Sequence, residues 1–179
     1  PFCMLVISST RQLQRQCAAS WLAREAQTVA SAPQRSNTTD SKIRIGYFSA
    51  DFHNHATAYL MAEFFERHDR SKFELFAFSF GPDKQDGMRQ RLTQSFDQFI
   101  DVRFNSDKEV AEFSRMLGID IAVDLKGSTK DHRFGIFSYR AAPVQVSYIG
   151  YPGTMISSEM LPLYLLGAIF TMALEYKFS

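Results

Sequence analysis

Between Lys42 and Gly150 short apolar runs alternate with amphipathic stretches, and the alternation predicts a layered α/β fold. Ile43, Ile45, Tyr47 and Phe48 make a β-prone run. A polar turn with Asp51, His53, Asn54 and His55 follows at once. A helical pattern begins near Thr57, its stripe formed by Leu60, Met61, Phe64 and Phe65, and ends near Asp69. Residues 73–80 alternate and then turn aromatic, which predicts a second strand closed by Gly81, Pro82 and Asp83. A helix is expected over 88–96 and a short strand over 99–102. Ser106 and Glu109 stand three apart, as in a capping box, ahead of a helix that buries Val110, Phe113, Met116 and Leu117 and stops at Gly118. The clearest buried strand is 119–125. A polar turn over 127–133, a short helix over 134–139 and a strand over 144–149 complete the pattern. Strand and helix alternate throughout, so the expected architecture is a single parallel, Rossmann-like sheet.

The flanks follow other rules. Leu13, Cys17 and Trp21, with Leu22, Ala26 and Val29, predict a helix over 10–30. Residues 31–41 are rich in Ser, Thr, Asn, Pro and Gln and mark a linker. Residues 156–179 form an apolar tail, shorter in its core than the ~20 residues a membrane helix needs and interrupted by Pro162. The expected division is therefore 1–41, 42–155 and 156–179. No membrane association is expected.

Composition narrows the partners. The 179 residues carry 20 Lys+Arg against 19 Asp+Glu, which offers no basic field for nucleic acid. Cys3 and Cys17 lie outside the patterned region and make no disulfide framework, so a reducing cytoplasm is the expected compartment. The apolar start lacks the basic flank and cleavage site of a signal peptide, and Pro1 reads as the start of a fragment.

The candidate chemistry follows two strands. Asp51, His53, Asn54 and His55 share one turn. Three readings of it stand side by side: Asp51 caps the next helix and the histidines only pack; His53 and His55 bind a metal; or one histidine acts as acid/base or orients a hydroxyl. Asp124, Lys126, Ser128 and Thr129 follow the later strand, with turn formation and solvation as the plain role of Lys126 and Lys130. Both turns are expected on the carboxyl edge of the sheet, where open α/β folds place ligands. Gly153 and Thr154 could aim two N–H groups at an anion. Neither the dinucleotide fingerprint nor the P-loop pattern occurs.

Three stretches together carry a resemblance: Lys42 to His55, Ile121 to Thr129 and Arg140 to Thr154. They resemble the O-linked N-acetylglucosamine transferase family, in the N-terminal half of its catalytic region and in a bacterial-type form, over about 42–155. The resemblance implies one half of a two-domain GT-B glycosyltransferase, with the active site between the halves and tetratricopeptide repeats upstream. It implies inverting transfer of GlcNAc from UDP-GlcNAc to Ser or Thr hydroxyls of protein acceptors, without a metal or other cofactor. It makes His55 the active-site histidine, and Tyr151, Pro152, Gly153 and Thr154 the turn at the donor sugar and phosphates. Asn54 and Thr129 become substrate-binding positions. Ser128 departs from the His that many bacterial relatives have there, and the family's continuation after Met155 is not recognisable. The uridine-binding second half is not seen, so this chain alone is expected not to transfer sugar. Two other function classes remain beside it: a metal-dependent hydrolase using His53 and His55, for which a barrel of ~250 residues is the usual home, and a non-catalytic Rossmann-like interaction module.

Overall fold

A computed structural model describes residues 42–150 in full, the backbone of Tyr164–Leu166, and positions 10, 12, 13, 16 and 20. The linker over 31–41 and the turn from Tyr151 to Thr154 lie outside the described residues, as do most of the expected first helix and most of the tail.

Among the described residues six strands form one sheet: β1 (Ile43–Ser49), β2 (Phe73–Ser79), β3 (Gln98–Asp101), β4 (Ile121–Asp124), β5 (Val144–Ser147) and β6 (Tyr164–Leu166). Their order is β3-β2-β1-β4-β5-β6, and every neighbouring pair is parallel. Among the described residues a helix follows each of the first four strands in turn: α1 (Ala56–Glu66), α2 (Gly87–Ser95), α3 (Asp107–Met116) and α4 (Phe134–Ser138). This is the expected parallel α/β layer, extended at one edge by three residues of the tail.

Successive residues of a strand point to opposite faces, and β1 uses both. Ile45 and Tyr47 belong to a core shared with Met61, Ala62 and Phe65 of α1 and Met88 and Leu92 of α2. Phe48 joins the opposite core with Phe76 and Phe78 of β2, Val110 and Ala111 of α3, and Ile136 and Phe137 of α4. Helices thus cover both faces of the sheet, which is why its strands read as apolar runs. Gly46 lies on the second face, where an added Cβ would come within 3.0–3.1 Å of Phe78, Ile119 and Phe48. The missing side chain lets Phe48 and Phe78 stack, centroids 4.3 Å apart and planes 3° from parallel.

Local signals held in part. The capping box forms: Ser106 Oγ accepts from the N–H of Glu109, and the Glu109 carboxylate accepts from the N–H of Ser106. Gly118 ends that helix with φ of +68°, a backbone shape glycine adopts without a Cβ clash. Two expected core positions are corrected. Leu60 is 69 % exposed and Met116 75 % exposed. Small residues fill the interface of α3 instead, with Ala111 and Ser114 buried beside Val110.

Candidate active site

The strand order reverses direction at β1. The chain builds outward through β2 and β3, then returns to lay β4 on the other side of β1. The carboxyl ends of β1 and β4 therefore form the topological switch point, the edge at which open α/β sheets bind ligands. His55 follows β1 and Thr129 follows β4, so both stand at this edge as expected.

The loops of this edge are tied to one another. Phe80 N–H donates to the carbonyl of Ser49, Leu125 N–H to Phe48, and Tyr148 N–H to Asp124. Gly81 packs on the Ala50 carbonyl and Gly150 on the Leu125 carbonyl so closely that neither position has room for a Cβ. Arg89, buried, donates to the Phe52 carbonyl and to Ser79 Oγ. Asp86 caps α2 by accepting from Arg89 N–H, and its other oxygen accepts from Asn54 N–H at 2.8 Å. These two backbone donors, that of Asn54 first, hold the Asp86 carboxyl below its usual range.

An ion pair joins the β1 and β4 loops at this switch point. Lys126 Nζ donates to Asp51 Oδ2 at 2.7 Å, and the two side chains are only 6 % and 10 % exposed. Lys126 is therefore not the solvated turn residue expected, because β4 lies directly against β1 and turns its outgoing loop inward. Asp124 anchors that loop by accepting from the N–H groups of Lys126 and Gly127. Thr129 Oγ1 donates to the Lys126 carbonyl at 2.8 Å and closes the same turn.

Helix capping falls to a different residue from the one expected. His55, not Asp51, is the N-cap of α1: its Nδ1 accepts from Thr57 N–H at 3.2 Å. Asp51 Oδ2 lies 3.5 Å from that nitrogen. A backbone N–H can only donate, so Nδ1 of the neutral ring bears the lone pair and Nε2 carries the proton. Asn54 is exposed, and its Oδ1 accepts from Tyr59 OH at 3.2 Å. His53 is buried, with Nδ1 lacking a hydrogen-bond partner among the described residues. Desolvation first, and the positive charge of Lys84 second, push its imidazole below the usual range.

The structure thus brings His55 and Asn54 together, places Thr129 on the adjoining loop, and leaves Tyr151, Pro152, Gly153 and Thr154 outside the described residues. Asp51, Lys126 and Asp86 hold the site; the sequence offered Asp51 as a cap and Lys126 as a solvated turn residue, and Asp86 was missed. For Asp86 the signal was present, an Asp directly before a helix. The metal reading gains no third ligand: the His53 and His55 rings are 6.0 Å apart, and among the described residues no three His, Cys, Asp or Glu side chains gather to hold an ion.

Comparison with known proteins decides the family. The sequence profile of glycosyl transferase family 41 matches residues 21–178. The chain belongs to this family. The family 41 match runs past Met155 to residue 178, beyond the motif-bearing stretch over 42–155. The chain is 38 % identical over 113 residues to an Arabidopsis thaliana protein described as probable UDP-N-acetylglucosamine–peptide N-acetylglucosaminyltransferase SEC, covering 63 % of this chain and 12 % of that one. It is 37 % identical over 114 residues to the Caenorhabditis elegans UDP-N-acetylglucosamine–peptide N-acetylglucosaminyltransferase, covering 63 % and 10 %. A solved structure of a Thermobaculum terrenum O-GlcNAc transferase mutant superposes with a TM-score of 0.74 at 31 % identity, covering 80 % of this chain and 28 % of that one. This family 41 chain therefore spans only a small part of the relatives it matches.

Proposed function

We propose that the chain supplies the His55 side of the active site of a protein O-GlcNAc transferase, a cytoplasmic inverting enzyme that moves GlcNAc from UDP-GlcNAc to Ser or Thr hydroxyls of protein acceptors without a resident metal. The observation that carries the reading is the family 41 match together with a switch point whose loops are cross-tied around His55. In such a transfer the acceptor oxygen forms a bond to the anomeric carbon as the bond to the diphosphate breaks on the opposite face. The UDP leaves with the bonding pair, and the acceptor's proton passes to a phosphate oxygen of that departing UDP or to water. Most of the gain comes from holding the two reactants in line and from meeting the negative charge of the leaving group.

His55 supports the positioning part of this work. With Nδ1 committed to the helix cap, Nε2–H is left as a donor at the head of α1, suited to orient an oxygen of donor or acceptor. Asn54 and Thr129 flank it as substrate contacts, and Tyr151, Pro152, Gly153 and Thr154 supply the donor-sugar and phosphate turn. The uridine site belongs to the second Rossmann half of the complete enzyme.

The test uses the full-length protein with UDP-GlcNAc and a Ser/Thr peptide. His55→Asn retains a side chain that caps helices well while removing the ring. Transfer is expected to fall by roughly 100-fold or more with the unfolding midpoint unchanged. Turnover near the wild-type value in that variant would return His55 to a purely structural cap.

A further inference from the structure

Asp51 Oδ2 has two suitors. Lys126 Nζ stands at 2.7 Å and His55 Nδ1 at 3.5 Å. A carboxylate beside an imidazole commonly draws the ring N–H toward itself and leaves the far nitrogen as a base. Here the opposite arrangement is built. The lysine ammonium takes the carboxylate oxygen, and the ring nitrogen that faces Asp51 accepts from Thr57 N–H. A proton on Nδ1 would break that cap and set two N–H groups against each other.

We propose that Lys126 is a positioning residue for His55: by holding Asp51 across the β1–β4 switch point it keeps His55 in the Nε2–H tautomer, a hydrogen-bond donor instead of a general base. The lysine acts through Asp51 and needs no contact with substrate. Removing it frees the carboxylate of a side chain only 10 % exposed, which then gains most by recruiting the nearest available donor. That donor is the His55 ring, once its proton moves from Nε2 to Nδ1. Lys126 thus decides which of two chemistries the histidine can perform. The consequence for transfer rests on the glycosyltransferase reading, whereas the tautomer itself does not.

The experiment is nitrogen NMR on the full-length protein with ¹⁵N-labelled histidine imidazoles, with His55 assigned by His55→Asn. In the wild type, Nδ1 of His55 is expected in the range of an unprotonated ring nitrogen and Nε2 in that of an N–H. Lys126→Met is expected to move Nδ1 into the N–H range, while Lys126→Arg keeps the wild-type pattern. Asp51→Asn and the double variant Asp51→Asn with Lys126→Met are also expected to keep it, since the carboxylate that attracts the proton is gone. The double variant leaves no buried charge unpaired, so it reports even where Lys126→Met folds poorly. Nδ1–H in the wild type, or Nδ1 left unprotonated in a folded Lys126→Met protein, overturns the proposal. In the transfer assay Lys126→Met is expected to lose roughly 10-fold in kcat, recovered by Lys126→Arg. A protein that shows the tautomer change yet transfers no GlcNAc supports the role of Lys126 and removes the glycosyltransferase reading. Transfer without any tautomer response removes the role of Lys126 alone.

Discussion

His68 makes the stability of this layer depend on pH, and the size of the effect follows from its surroundings. Its Nε2 shares a 2.8 Å hydrogen bond with the buried Tyr47 hydroxyl, and its ring packs edge-on against Phe64 and Phe73. Burial first, and the nearby Arg70 guanidinium second, push the imidazole from 6.5 down to about 4. Well above pH 6.5 the ring is neutral in folded and unfolded chains alike and contributes nothing. Between 6.5 and 4 the unfolded chain takes up a proton that the folded chain refuses, so stability falls as pH falls, by up to about 1.4 kcal/mol per pH unit. From pH 7 to pH 5 the loss amounts to about 2 kcal/mol, and it saturates at about 3 kcal/mol once the folded ring also protonates. Urea unfolding followed by circular dichroism at the two pH values measures it. His68→Gln keeps a partner for Tyr47 without a titrating ring, and should lose about 2 kcal/mol less than the wild type over the same interval. His53 is also depressed but is present in both proteins, so the difference isolates His68. Equal losses in wild type and variant would refute the reasoning.

Three further outcomes are expected. Lys126→Ala and Asp51→Ala should each cost about 3–5 kcal/mol in urea unfolding because each strands a buried charge. The double variant should cost clearly less than their sum, and strict additivity would show that the pair is not coupled. Ser106→Ala removes one arm of the capping box on α3 and should cost about 1 kcal/mol, with Ser106→Asp restoring most of it. Gly81→Ala sets a methyl group against the Ala50 carbonyl and should cost about 1–3 kcal/mol. On the proposed glycosyltransferase reading it should also lower kcat, since the displaced backbone leads directly into Asp51 and His55; an unchanged kcat with a lowered midpoint would uncouple the two loops.

The parallel sheet was legible in the chain because each strand is an apolar run bounded by turn residues and each helix carries its own stop or start, such as Ser106 or Gly118. Leu60 and Met116 misled because apolar residues at helical spacing do not say how wide the buried stripe is. On α3 the close approach is made by Ala111 and Ser114, residues too small to register as core. Lys126 misled for a different reason. A lysine after a strand is a solvated turn residue unless a neighbouring loop brings it a carboxylate, and that neighbour is set by strand order, which no local pattern contains. The same limit hid the capping role of His55: its spacing from Thr57 was visible, but its extended backbone and inward Nδ1 were not. The family motifs pointed to His55 without showing what holds it.

Placing the earliest strand of the sheet at its centre has a price during synthesis. β1 can pair with β2 as soon as residues 73–79 emerge, but its other edge waits for β4. Arg44 lies 76 residues before Asp120, its hydrogen-bond partner on that side. At about 5–20 residues per second, a ribosome needs roughly 4–15 s to deliver it. For that interval one side of β1 offers a row of unpaired N–H and C=O groups flanked by Ile45, Tyr47 and Phe48, the kind of edge that templates another strand. A nascent chain stalled before Ile121 is therefore a target for chaperones, and where they are scarce, a seed for aggregation.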